Sequence, residues 1–141
     1  MDQNLKRSII LEHYQNPINK GLIKAENYIK INMDNESCID EINLMVKIEK
    51  NIIKDVKFDG EACAICTSST SIMIETILGK TIDQVNIIYN NFINMIDEQT
   101  YDEQILQSAI VYDDIAKQPN RKKCALLPWW GIKKAIEKNN I

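Results

Sequence analysis

Along the chain, apolar residues first recur at helical spacing, then alternate singly, then return to helical spacing. Residues 4–14 place Leu5, Ile9, Ile10, His13 and Tyr14 on one helical stripe, which Asn16-Pro17 ends. Asn16-Pro17-Ile18-Asn19-Lys20-Gly21 reads as turn and loop. From 28 to 33 the pattern alternates, with Ile29, Ile31 and Met33 on one face. Residues 42–49 alternate almost without fault, Ile42, Leu44, Val46 and Ile48 inward and Asn43, Met45, Lys47 and Glu49 outward. A turn at Lys50-Asn51 leads to a third strand over about 52–58. Three consecutive strands with short connections predict an antiparallel meander with one wet face.

Helical spacing resumes at Ala64 and lasts to Leu78, with Gly79 as the C-terminal cap. Thr81-Ile82-Asp83-Gln84 has the form of a capping box and opens a helix whose stripe is Ile82, Val85, Ile88, Tyr89, Phe92 and Ile96. A further helix is predicted over 103–117, stopped by Gln118-Pro119-Asn120. Beyond Cys124, Pro128 suits the first turn of a last helix carrying Trp129, Trp130, Ile132 and Ile136. The fold class is therefore α+β: a small three-stranded antiparallel sheet with helices packed on one face. Residues 1–141 are read as a single domain, with no repeat, linker or low-complexity tract, long enough to bury a core without disulfides.

Charge narrows the functions. The net charge is −3, with acids and bases interspersed, so neither nucleic acid nor an anionic membrane is an expected partner. No apolar run is long enough to span a bilayer, and Met1-Asp2-Gln3-Asn4-Leu5-Lys6 is not a signal peptide. A cytoplasmic location is expected, where thiols stay reduced. Four cysteines there point to metal binding or catalysis rather than to disulfides.

Two of the four lie in Asp59-Gly60-Glu61-Ala62-Cys63-Ala64-Ile65-Cys66, where the strand period gives way to the helical one. A thiol at such a handover sits near backbone N–H groups that favour the thiolate. Cys38 and Cys124 lie far off on either side. The spacing is not that of a zinc finger, since only one Cys-x-x-Cys knuckle exists. Cys38 has Asp40 two residues on, and in an extended stretch the two face the same way and reach one ion. Two ligand sets remain open on spacing alone: four thiolates including Cys66, or three thiolates with Asp40. In the second, Cys66 packs in the core, as buried cysteines commonly do. Arg121 and Lys123 stand near Cys124, placed either to offset the anionic site or simply to be solvated. His13, the only histidine, is expected to be a packing or partner-contact residue rather than a ligand.

These residues resemble the U-type iron–sulfur assembly proteins, the IscU/NifU/SufU family, over nearly the whole chain. The resemblance runs from His13-Tyr14-Gln15-Asn16-Pro17-Ile18-Asn19-Lys20-Gly21 through Cys38-x-Asp40 and Gly60-Glu61-Ala62-Cys63 to Lys123-Cys124-Ala125. Two features are similar to the SufU branch: Cys124 lies 61 positions after Cys63, and Lys123 stands where IscU-type scaffolds have a histidine. The chain departs from the family at Ile39, where a glycine is usual, and at Cys66, where a small polar residue is usual.

The resemblance implies a zinc-dependent sulfurtransferase that accepts persulfide sulfur from a cysteine desulfurase, a PLP enzyme, for iron–sulfur cluster assembly. It implies zinc ligands Cys38, Asp40, Cys63 and Cys124, with Cys38 as sulfur acceptor, released from the metal by a histidine of the desulfurase. Downstream iron–sulfur assembly proteins are the further partners it implies. The alternative in the same family is a scaffold on which a transient iron–sulfur cluster is built by the same four residues. A zinc that only staples the fold, and a thioredoxin-like role for Cys63-x-x-Cys66, rank below these.

Overall fold

The computed structural model describes residues 1–36 and 39–140. Three strands, β1 (Ile29–Asp34), β2 (Glu41–Glu49) and β3 (Ile52–Glu61), form an antiparallel meander in sequence order. Ile31 pairs with Leu44 and Met33 with Ile42, while Leu44 pairs with Phe58 and Val46 with Val56, so one face carries a continuous apolar patch. Lys50 and Asn51 both take positive φ at the β2–β3 turn, the geometry that suits two-residue hairpin loops. The register slips between Lys47 and Ile48, which lets Ile53 join Val56 and Phe58 in the core. Met45, expected to face water, is buried, in a cavity of about 300 Å³ that Leu22 and Ile23 also line.

Helices cover the apolar face. The N-terminal helix α1 (Gln3–Gln15) is capped by Asp2, whose side chain accepts the Leu5 N–H. Its predicted stripe is only partly right: Leu5 and Tyr14 are exposed, and the buried position belongs to Lys6, paired with Asp113 at 2.7 Å and Asp114 at 3.2 Å. Burial raises no objection to that ammonium because both carboxylates meet it.

The centre of the molecule is α2 (Ala64–Ile77), which is buried on almost every side. Its run Thr67-Ser68-Ser69-Thr70-Ser71 is polar yet buried, and each hydroxyl has a partner. Ser68 meets the Tyr112 hydroxyl at 2.5 Å, Ser69 donates to the Ala125 carbonyl at 2.7 Å, and Ser71 lies 2.7 Å from His13 Nδ1. His13 Nε2 pairs with Glu75 at 3.0 Å, so the lone histidine fastens α1 to α2. The loop that follows is fastened to β3: Asn19, at φ 58°, donates to the Val56 carbonyl at 3.0 Å, and the Gly21 N–H bonds Phe58 at 2.7 Å.

Helix α3 (Ile82–Ile96) carries the expected capping box, with Thr81 and Gln84 bonded reciprocally, and buries Val85, Ile88, Phe92, Met95 and Ile96. The next two elements correct the sequence reading. The helix expected over 103–117 is a single turn, α4 (Glu103–Leu106), then a 3₁₀ segment (Gln107–Lys117), parted by Gln107 at φ 50°. The last helix, α5 (Pro119–Asn139), begins nine residues earlier than expected, with Pro119 rather than Pro128 in its first turn. Pro128 lies inside it, where its missing N–H leaves the Cys124 carbonyl without the usual helical donor. Cys124 therefore lies within α5, not ahead of it.

Helix α5 packs closely on the sheet and on α3. A Cβ on Gly131 would come within 2.7 Å of Leu44 Cδ1 and 3.1 Å of Met33 Cγ, so any larger residue there must displace those side chains. Trp129 stacks on Phe92, ring centroids 4.3 Å apart. No described helix is long and apolar enough to cross a membrane.

Candidate metal centre

Three distant segments converge at one end of the sheet. The first is the β1–β2 connection, closed by a bond from the Asn35 N–H to the Asp40 carbonyl at 3.0 Å. Asp40 stands at its end, 1% exposed, while neighbouring Ile39 is 74% exposed. The second segment is the junction of β3 and α2. There Cys63 is the N-cap of α2, in extended backbone, and its sulfur accepts the Cys66 N–H at 3.4 Å. The third is α5, which presents Cys124, also buried.

Backbone geometry holds the first two together. Glu41 pairs with Glu61 at the end of the ladder, and Asp40 Oδ1 accepts the Cys63 N–H at 2.7 Å. Gly60 makes this approach possible. It sits at φ 137°, and a Cβ there would lie 2.0 Å from the Glu41 carbonyl oxygen. The sequence motif Gly60-Glu61-Ala62-Cys63 thus spends its glycine on strand closeness and its cysteine on the helix cap.

A carboxylate oxygen of Asp40 and the sulfurs of Cys63 and Cys124 all lie within 4.8 Å of one another. Burial pushes the Cys63 thiol up; the charge of Asp40 adds to that, and the Cys66 N–H pulls the other way. Burial likewise pushes Cys124 far above the ordinary thiol range, and Asp40 and Cys63 push it in the same direction. Burial and the neighbouring carboxylate thus disfavour the thiolate form of both sulfurs, a cost that a bound cation would offset.

Zinc fits this donor set. On a tetrahedral ion with Zn–S bonds of about 2.3 Å, ligand atoms sit roughly 3.8 Å apart, a spacing these atoms approach without rearrangement of the fold. Among the sequence-predicted residues, Asp40, Cys63 and Cys124 are brought together; Cys38 lies outside the described residues. Cys66 is fully buried as the third residue of α2 and belongs to the apolar core. It is not a member of the three-residue group. Arg121 and Lys123 are exposed, and Lys123 lines an open cleft of about 580 Å³ with Asp34, Asn35, Glu36, Leu127 and Trp130.

One nearby residue escaped the sequence reading. Asn35 is buried, and its side-chain amide points at Cys124 Sγ, 3.9 Å away. An asparagine just after a strand reads as a turn former, and nothing in its spacing marks it otherwise.

The NifU-like N-terminal domain model matches residues 5–138. The chain belongs to that family. It is 36% identical over 135 residues to the zinc-dependent sulfurtransferase SufU of Bacillus subtilis, covering 95% of this chain and 90% of that one. It is also 36% identical over 104 residues to the iron–sulfur cluster assembly scaffold protein IscU of Thermotoga maritima, covering 74% and 73%. Among solved structures, a proposed iron–sulfur cluster assembly scaffold protein for the SUF system from Fervidobacterium islandicum superposes with a TM-score of 0.85 at 35% identity, covering 90% of this chain and 93% of that one. The α+β architecture with a three-stranded antiparallel sheet is thus the family's own. The family motifs also gain physical roles: His13 and Asn19 fasten the N-terminal segment to α2 and β3, and Gly60 brings Cys63 to Asp40.

Proposed function

We propose that this chain is a zinc-dependent sulfur carrier in iron–sulfur cluster assembly, taking persulfide sulfur from a cysteine desulfurase onto Cys38. The observation that carries the reading is the convergence of Asp40, Cys63 and Cys124 in a buried site where free thiolates are disfavoured. Asp40, Cys63 and Cys124 hold the metal, with Cys38 as the fourth ligand by its place two residues before Asp40. Zinc supplies positive charge that keeps thiolates deprotonated, without redox chemistry of its own.

In the transfer, the Cys38 thiolate attacks the outer sulfur of the donor's cysteine persulfide. A sulfur–sulfur bond forms on Cys38, the donor's own sulfur–sulfur bond breaks, and the donor leaves as a thiolate. The exchange balances without an added oxidant. Asp40, fixed by the Cys63 N–H, stays in place during the exchange. Downstream assembly proteins are the onward acceptors, and the cytosol is the setting in which these thiols stay reduced.

Similarity to the Bacillus SufU over nearly the whole chain, the 61-residue spacing from Cys63 to Cys124, and Lys123 favour the carrier. Similarity to the Thermotoga IscU favours the second reading, a scaffold for a transient iron–sulfur cluster. Metal and sulfide analysis of anaerobically purified protein separates them: one colourless zinc per chain is expected, and a brown product with iron and sulfide contradicts the carrier. Cys38→Ser should abolish persulfide uptake from a matching desulfurase while the fold persists. A Cys38→Ser protein that accepts sulfur like wild type removes Cys38 as acceptor.

A further inference from the structure

We infer that Asn35 is a positioning residue of this centre, whose side-chain amide donates to the Cys124 sulfur and holds that thiolate as a fixed, unreactive ligand. The inference rests on the zinc-carrier reading and adds to it the means by which one ligand is kept out of the sulfur exchange.

Asn35 is 6% exposed, directly after β1. Its backbone N–H bonds the Asp40 carbonyl at 3.0 Å, and its Nδ2 lies 3.9 Å from Cys124 Sγ. One residue thereby touches the backbone of one ligand and the sulfur of another, on elements from opposite halves of the chain.

The two sulfurs seen at the site need different donors. Cys63 stands at the N-terminus of α2, where backbone N–H groups are free, and it takes that of Cys66 at 3.4 Å. Cys124 lies inside α5, where backbone N–H groups are spent on the helix itself. Its sulfur also sits 4.0 Å from the Asn120 carbonyl, an acceptor that gives a thiolate nothing. A donor for Cys124 has to come from another element, and Asn35 is placed to be that donor. A hydrogen bond to a thiolate draws charge from the sulfur and lowers its nucleophilicity. With Cys63 and Cys124 both so capped, attack on a persulfide falls to the acceptor cysteine.

The test uses zinc-loaded full-length protein and Asn35→Leu, which keeps the bulk and removes the donor. Iodoacetamide alkylation followed by mass spectrometry reads each cysteine separately, and a cobalt-substituted sample reads the sulfur-to-metal charge-transfer band. Loss of the donor should speed Cys124 alkylation about five-fold, equivalent to about 1 kcal/mol, with Cys63 and Cys66 unchanged. The charge-transfer band should move to longer wavelength. Asn35→Asp, of the same shape but without the N–H groups, should show the same selective rise, and serves if Asn35→Leu fails to fold. An unchanged Cys124 rate, or equal acceleration at every cysteine, overturns the inference. Wild type that retains no zinc overturns the carrier reading instead, and is scored before any variant.

Discussion

On one side of the centre, Asp40 and Cys63 are joined through backbone: adjoining strands in register and a 2.7 Å bond from the Cys63 N–H to the Asp40 carboxylate. On the other side, Cys124 reaches them from a separate helix, and among the described residues its sulfur meets the amide of Asn35 at 3.9 Å and the Asn120 carbonyl at 4.0 Å. The first side is built by local chain geometry and forms with the sheet. The second depends on how α5 packs against α2 and the sheet, with Gly131 against Leu44 of β2 and Met33 of β1, and Ser69 on the Ala125 carbonyl. A metal ion bridging the sides would therefore tie the C-terminal helix to the sheet, and the two sides should respond differently to damage.

The largest effect is expected from Gly60→Ala, which attacks the backbone-built side. Its Cβ would sit 2.0 Å from the Glu41 carbonyl oxygen, on a backbone at positive φ, so β2 and β3 must part beside Asp40. A loss on the order of 3–5 kcal/mol is expected, read as a lower denaturant midpoint with and without zinc. A midpoint equal to wild type would mean that the strands do not need this closeness.

Metal removal attacks the other side. With free zinc a hundred-fold above its Kd, linkage contributes about 2.7 kcal/mol, which a strong chelator should abolish in thermal melts. Hydrogen exchange should then rise chiefly in α5 around Cys124, while the β2–β3 ladder stays protected. Equal midpoints with zinc shown to have left would contradict a structural contribution from the metal.

The contrast between the sides also explains what could be read from the sequence. The local side was legible: strand alternation, the Lys50-Asn51 turn and the switch of period at Cys63 are short-range signals, and they located the sheet and the N-cap cysteine. The distant side was less so. Pro119 and Pro128 both suit a first helical turn, and only tertiary packing decides that the helix runs through the second. The break at Gln107 needs a positive φ that no residue type there announces. The hydroxyl run 67–71 hid the burial of α2, because the partners of its three serines, Tyr112, Ala125 and His13, come from elsewhere in the chain, while Thr67 and Thr70 bond the local carbonyls of Ala62 and Cys66. Asn35 was missed for the same reason: its partner sulfur is 89 residues away.

The smallest stability change, and the most direct test, comes from comparing Cys66→Ser with Asp40→Ala. Serine at position 66 should cost about 1 kcal/mol, because it replaces a buried sulfur with a hydroxyl in an apolar setting. The decisive measurement is zinc per chain in both variants under the same chelator competition. Cys66→Ser should keep one zinc per chain, and Asp40→Ala should lose it at lower chelator concentration than wild type. Loss of zinc from Cys66→Ser with Asp40→Ala unaffected would replace the proposed three-thiolate, one-carboxylate centre with an all-thiolate one.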